Sequence, residues 1–189
     1  NETQIKVSVN LDGIGKNAIT TGLPFFDHMI QQLSKHSLID IDIKCDGDLE
    51  IDSHHTMEDV GGALGKAIKE ALGNKQGIKR YSFSYLPMDE CLTRCCVDIS
   101  GRPWLVWNVF LPNITIKNIE TEIFREFFQS FSQSAEFTLH IENIYGQNTH
   151  HIIESCFKSM AISLRNAINL DLRNLDNVPS TKGTLTGNM

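Results

Sequence analysis

The sequence predicts an α+β fold built as an internally duplicated pair of half-domains, each a mixed sheet with helices packed on one face. Three observations carry that reading. Strand-like alternation and helix-like periodicity are interleaved along the chain, with hairpin-type turns between strands. The order strand, strand, helix, strand, helix occurs twice, a period too long for a solenoid. The pattern His-His-x-x-Glu opens the last helix of each half, as "HHTME" (54–58) and "HHIIE" (150–154). On this reading the 189 residues form a single domain of two halves, roughly 1–75 and 76–175, followed by a tail, 176–189.

Each element follows from its local pattern. "TQIKVSVNLDG" (3–13) alternates Ile5, Val7, Val9 and Leu11 and turns at Asp12-Gly13, which predicts a strand and a hairpin. "PFFDHMIQQLSKHS" (24–37) opens with Pro24 and repeats apolar residues at helical spacing, which predicts an amphipathic helix. "LIDIDIKCDG" (38–47) alternates again, with "DLEID" (48–52) as its expected hairpin partner. "TMEDVGGALGKAIKEALGN" (56–74) lines up Val60, Leu64, Ala67, Ile68 and Leu72 on one helical face and stops at Gly73. The second half begins near "GIKRYSFSYLPMDE" (77–90). Strands are expected at "CLTRCCVDISG" (91–101) and "PWLVWNVFL" (103–111), a helix at "TEIFREFFQSFSQSAE" (121–136), a strand at "FTLHIENIYG" (137–146) and a helix at "HHIIESCFKSMAISLRNAI" (150–168). The tail is rich in turn formers.

Composition narrows the function classes. The chain is 41% hydrophobic and 21% charged with a net charge of -6, ordinary for a soluble globular protein. Its Lys and Arg residues are scattered, without the basic stripe that nucleic-acid binding requires. No apolar run approaches the ~20 residues of a membrane span, and no signal-peptide pattern opens the chain. The first residue is Asn rather than Met, so a trimmed N-terminus is expected. The five cysteines, at 45, 91, 95, 96 and 156, lack C-x-x-C spacing and read as buried small hydrophobes in a reducing cytoplasm.

The doubled motif points to metal. Successive helical side chains diverge by about 100°, so His54 and His55 are poorly placed to grip one ion. Residues four apart share a face. His54 and Glu58 can therefore close on one metal while His55 points to another, and His150, Glu154 and His151 repeat the arrangement. Each motif is then a fork serving two metals, and the second motif supplies the complementary fork, within the chain or from a neighbouring subunit. Mixed imidazole and carboxylate ligands suit Zn, Fe or Mn. His28 in "FFDHM" is the natural third histidine. Its counterpart in the second half, by the Phe-Phe alignment, falls near Glu126, either a carboxylate ligand or a solvated helix residue. His140 reads as a metal ligand, a residue that supports a ligand or a satisfied core histidine, the last two being preferred, and His36 as a helix-end cation without chemistry.

A phosphate site is the second expectation. "PSTKG" (179–183) clusters hydroxyls, backbone N–H groups and an ammonium, which together suit a phosphate, although alone it reads as a surface turn. Arg80 and Arg102 are weak signals singly. Lys158, four residues after Glu154, places one cation near the metals.

Taken in order, "NET", "FFDHM", "GDLEIDSHHTMEDVG", "LPMDE", "DISGRP", "TLHI", "NTHHIIES" and "PSTKG" resemble the imidazoleglycerol-phosphate dehydratases of histidine biosynthesis along nearly the whole chain. The resemblance implies a catalytic domain assembled from trimers into a 24-subunit shell, a homo-oligomer with two Mn²⁺ per active site and sites between subunits. It implies His28, His54, His55, Glu58, His150, His151 and Glu154 as metal ligands. Arg80, Arg102, Lys158, Ser180 and Lys182 would hold the substrate phosphate, and Glu2 would be the catalytic base. Some members carry His where this chain has Glu126. The implied reaction removes water from D-erythro-imidazoleglycerol phosphate to give imidazole acetol phosphate. An imidazolate form of the ring would expel the hydroxyl next to it, giving a diazafulvene-like intermediate. A carboxylate then takes the neighbouring proton, and the enol becomes the ketone. Asp89 and Glu90 in "PMDE" read as structural support. A dinuclear phosphatase and a metal-storing cage are the competing readings.

Overall fold

The structure, a computed structural model, describes residues 3–185. The first half runs β1 (Thr3–Asn10), β2 (Asn17–Thr20), α1 (Pro24–Ser37), β3 (Asp40–Gly47) and α2 (His54–Leu72). The second runs β4 (Tyr81–Met88), β5 (Cys91–Asp98), β6 (Trp104–Asn108), the short pair β7 (Thr115–Ile116) and β8 (Ile119–Glu120), α3 (Ile123–Ala135), β9 (Thr138–Tyr145) and α4 (Thr149–Ile168).

The two main sheets share one topology. In the first, β3 lies between an antiparallel β1 and a parallel β2. In the second, β9 lies between an antiparallel β5 and a parallel β6, with β4 added at the edge beside β5. The likeness extends to single hydrogen bonds. Ser34 Oγ donates to the Ile39 carbonyl and Ser132 Oγ to the Phe137 carbonyl, both at 2.8 Å. α1 and α3 both end on a non-glycine residue in the left-handed region, Leu38 (φ 61°) and Glu136 (φ 56°).

The alternation in β1 and β3 has a direct consequence. Ile5, Val7 and Val9 face inward opposite Cys45, Ile43 and Ile41. α1 and α2 cover that face, α3 and α4 cover the second sheet, and the helices of the two halves meet as α1 on α4 and α2 on α3. Four helices thus lie between two sheets around one core. Phenylalanine fills its centre: Phe26 meets Phe127 edge-on at 5.3 Å, and Phe157 packs on Phe127 and Phe128 at 5.1 and 4.7 Å. Gly61 and Gly65 let α2 approach α3 closely. A Cβ at either would lie 2.5 Å from a backbone oxygen, of Phe127 or Phe131.

Two expected hairpins do not form. The turn at Asp12-Gly13 leads to β2, but β1 pairs with β3, because β2 takes the opposite edge of β3 in parallel. "DLEID" is a turn, not a strand: Ile51 N–H bonds the Asp48 carbonyl and Asp52 is used as a cap. β4 and the β7–β8 pair are additions to the expected set. Cys45, Cys91, Cys95 and Cys156 are buried free thiols as expected, and Cys96 is half-buried. Among the described residues, no helix is long and apolar enough to cross a membrane.

Candidate active site

Both histidine pairs stand in the first turn of a helix, where backbone N–H groups need outside acceptors. Asp52 accepts from His54 N–H at 2.7 Å, and Asn148 accepts from His150 and His151 N–H at 3.0 and 3.3 Å. These caps fix where the forks begin. The first histidine of each pair turns along its helix: His54 Nε2 is 3.4 Å from Glu58 Oε2, and His150 Nε2 is 2.9 Å from Glu154 Oε2. The second turns away. His55 Nδ1 meets Asp48 Oδ2 at 3.0 Å, and His151 Nδ1 meets Glu90 Oε2 at 2.8 Å. Ring centroids within the pairs are 6.3 and 6.1 Å apart, with planes inclined at 64° and 83°. The divergence expected from helical geometry is present in both.

The halves meet at one cluster. His28, on α1, joins His150 and Glu154, on α4, with His28 Nε2 3.7 Å from Glu154 Oε2 and all three donor atoms within 4.8 Å of one another. Among the described residues this is the one group of three side chains placed so that they could hold a metal, and it has the imidazole–carboxylate chemistry that suits a divalent transition metal. Glu154 is buried, with a side chain 7% exposed, whereas Glu58 is 49% exposed. Burial pushes the Glu154 carboxyl up, but the Lys158 ammonium at 2.5 Å and the His150 hydrogen bond outweigh it and hold the group below the usual carboxylate range. A buried carboxylate kept ionised beside two imidazoles is ready for a cation.

Glu126 occupies the place in α3 that His28 has in α1. The register that sets Ser34 on Ser132 and Leu38 on Glu136 sets His28 on Glu126, and it pairs Phe26 with Phe124. The two Phe-Phe pairs are therefore not equivalent, and aligning them directly would set His28 on Ser130 rather than on Glu126. Glu126 bonds Arg125 at 2.9 Å. His140 is exposed on the outer face of the second sheet, opposite Cys96, and is neither a core histidine nor part of the cluster. Burial first, then the Lys158 charge, push His36 below its ordinary value, contrary to a helix-end cation.

Arg80, Arg102, Ser180 and Lys182 come together around a cavity of about 1030 Å³ beside the tail. Arg80 is buried in the left-handed region (φ 71°). Its Nε and Nη2 donate to Asp98 at 2.7 and 3.2 Å, and its Nη1 donates to the Pro179 carbonyl at 2.9 Å. Arg80 thus holds the loop, while Arg102, 60% exposed, is the more open cation. The tail is also pinned by Gly77 N–H on the Asn177 carbonyl at 3.0 Å and by the buried Lys75 Nζ on the Leu185 carbonyl at 2.9 Å. Lys158 does not line this cavity; it belongs to Glu154. Glu2, the expected base, lies outside the described residues.

Sequence reasoning missed Asp48, Asp98 and the full part played by Glu90. Glu90 Oε1 accepts from Gln147 and Asn148 N–H at 3.1 and 2.8 Å while Oε2 meets His151. The Asn148 N–H bond, then His151, hold its carboxyl down at about 2. Only the cap Asn148, three residues before His151, had a signal in the sequence.

Residues 21–164 match the family model of imidazoleglycerol-phosphate dehydratase. The chain belongs to the imidazoleglycerol-phosphate dehydratase family. A curated imidazoleglycerol-phosphate dehydratase of Sinorhizobium fredii (strain NBRC 101917 / NGR234) is 56% identical over 185 residues, 98% of this chain and 92% of the relative. Two solved structures share the fold. The crystal structure of imidazoleglycerol-phosphate dehydratase from Staphylococcus aureus subsp. aureus N315 has a TM-score of 0.83 at 37% identity, covering 89% of this chain and 95% of that one. That of Pyrococcus furiosus imidazoleglycerol-phosphate dehydratase, in complex with (S)-C348, has a TM-score of 0.83 at 31% identity, covering 97% of each chain. The family name describes hydro-lyases, and the α+β fold with its two sheets and four helices is that of the dehydratase structures.

Proposed function

We propose that this chain removes water from D-erythro-imidazoleglycerol phosphate to give imidazole acetol phosphate in cytoplasmic histidine biosynthesis, with two Mn²⁺ per active site. The observation that carries the reading is the His28, His150 and Glu154 cluster, formed across the two halves of a chain 56% identical to a curated dehydratase. The donor set fits the metals. His28, His150 and Glu154 would hold one, and His54 and Glu58 would help to hold the other. His55 and His151 point away from their own helices' glutamates and would complete the sites of a neighbouring subunit. The sites would thus lie between subunits of a homo-oligomeric shell, 24 chains built from trimers.

Metal ions so held would supply Lewis acidity to the imidazole ring, favouring its imidazolate form, and would act as a template. The remaining work belongs to side chains. Lys158 keeps Glu154 ionised. Arg80 fixes the Pro179 loop, and Arg102, Ser180 and Lys182 bind the phosphate, which anchors the substrate away from its reacting carbons. The hydroxyl on the carbon attached to the ring leaves. Glu2 takes the proton from the neighbouring carbon, and the enol formed there becomes the ketone, with the phosphate still attached. A placed carboxylate base typically contributes ~10²–10⁴-fold.

Glu2→Gln is expected to keep metals and shell and lose turnover; normal turnover would remove the base assignment. His150→Ala and His54→Ala are each expected to lose metal and large assemblies. Retention of both properties would contradict the composite site.

A further inference from the structure

The two forks share a feature beyond their ligands. In each, the second histidine has a carboxylate on Nδ1: Asp48 on His55 at 3.0 Å and Glu90 on His151 at 2.8 Å. The carboxylates come from different places in the fold. Asp48 follows β3 directly, while Glu90 sits in the turn between β4 and β5. The position after β9 that corresponds to Asp48 is Gly146, where a Cβ would already lie 3.0 Å from Cys91 Sγ and Ile152 Cγ1. A side chain there would require Cys91 or Ile152 to give way. The second half reaches the same ring nitrogen with Glu90, from the turn between β4 and β5. In both halves the same ring nitrogen thus meets a carboxylate, although the two carboxylates stand at different places in the fold.

Its chemistry is definite. An ionised carboxylate only accepts hydrogen bonds, so its partner must be Nδ1–H, and a neutral imidazole then carries its lone pair on Nε2. We propose that Asp48 and Glu90 are positioning residues that hold His55 and His151 in the tautomer and ring orientation that present Nε2 to a metal. The inference rests on the metal reading above. Asp48 serves one metal and Glu90 the other, because each acts on a different fork. Glu90 also braces the loop that caps α4 through Gln147 and Asn148 N–H, so tautomer and loop must be separated by choice of substitution.

Glu90→Gln and Asp48→Ala do this. In Glu90→Gln the amide oxygen can keep the loop contacts, while the amide N–H₂ faces Nδ1 and favours the wrong tautomer. Asp48 Oδ1 has no hydrogen-bond partner among the described residues, so Asp48→Ala removes the His55 contact without unpairing the loop. The test is Mn²⁺ titration of the full-length wild type, both single variants and the double variant, followed by the electron-spin signal of free Mn²⁺, with melting temperatures of the metal-free proteins. Each single variant is expected to weaken one of two Mn²⁺ per chain by about 10–100-fold, and the double variant both, with metal-free melting temperatures unchanged. Wild-type affinity in the variants would overturn the proposal. So would a weakening matched by a fall in the metal-free melting temperature, which would make the role purely structural. A wild type that binds no Mn²⁺ would instead overturn the metal reading on which the inference rests.

Discussion

Glu154 shows how one side chain depends on its neighbours. Alone in its buried position it would favour the neutral acid; Lys158 and His150 reverse that. Its folded pKa is therefore depressed. The stability it contributes is complete above the unfolded value of about 4.3 and is lost as pH falls through the lower folded value. Lys158→Met leaves burial as the leading influence. The acid limb of both stability and metal binding should then move to higher pH, with a stability loss near neutral pH of roughly 1.5–3 kcal/mol. Denaturant unfolding at a series of pH values checks this; an unmoved acid limb would contradict it. At this scale the sequence was legible wherever function follows helical spacing: His54 with Glu58, His150 with Glu154, and the divergence of each pair. It was not legible for His28 with His150, or Glu90 with His151, since residues far apart in sequence meet only through the packing of α1 on α4 and the placement of the β4–β5 turn.

The site geometry is inherited from a few close approaches between elements. α2 lies against α3 through Gly61 and Gly65, and no side chain fits at either without moving the facing backbone. Gly65→Ala should lower stability by about 1–3 kcal/mol through overpacking, despite alanine's better helix propensity. In urea the midpoint should fall while the slope stays constant; a gain in stability would show that the interface yields. α4 is seated on its sheet by a buried polar seam, in which Thr93 bonds Ser155 at 2.6 Å and Ser163 bonds Ser84 at 3.0 Å. That seating sets the height of His150 and Glu154. The helices were legible to within two residues because their apolar periodicity is strong. Strand pairing was not. Alternation marks a strand but does not name its neighbour, and the parallel placement of β2 beside β3 depends on α1 crossing over.

For the whole molecule, duplication has given two forks with unequal surroundings. One gathers His28 as a third candidate ligand and a buried glutamate; the other has Glu126 in the equivalent place and an exposed Glu58. The second sheet meanwhile presents Phe83 and Tyr85 of β4 and Trp104 of β6 outward, at 66%, 52% and 66% exposure. Both features fit the proposed shell. Removing metal by chelation should then reduce particle size toward trimers and abolish turnover, with recovery of both on adding Mn²⁺. Light scattering reads the first; an unchanged particle size in chelator would separate assembly from metal. The most direct test of the central claim is to incubate the Mn²⁺-loaded protein with imidazoleglycerol phosphate and analyse the product by mass spectrometry and phosphorus NMR. The account predicts a ketone lighter than the substrate by one water, with its phosphate still esterified. Release of inorganic phosphate, or substrate recovered without loss of water, would contradict it.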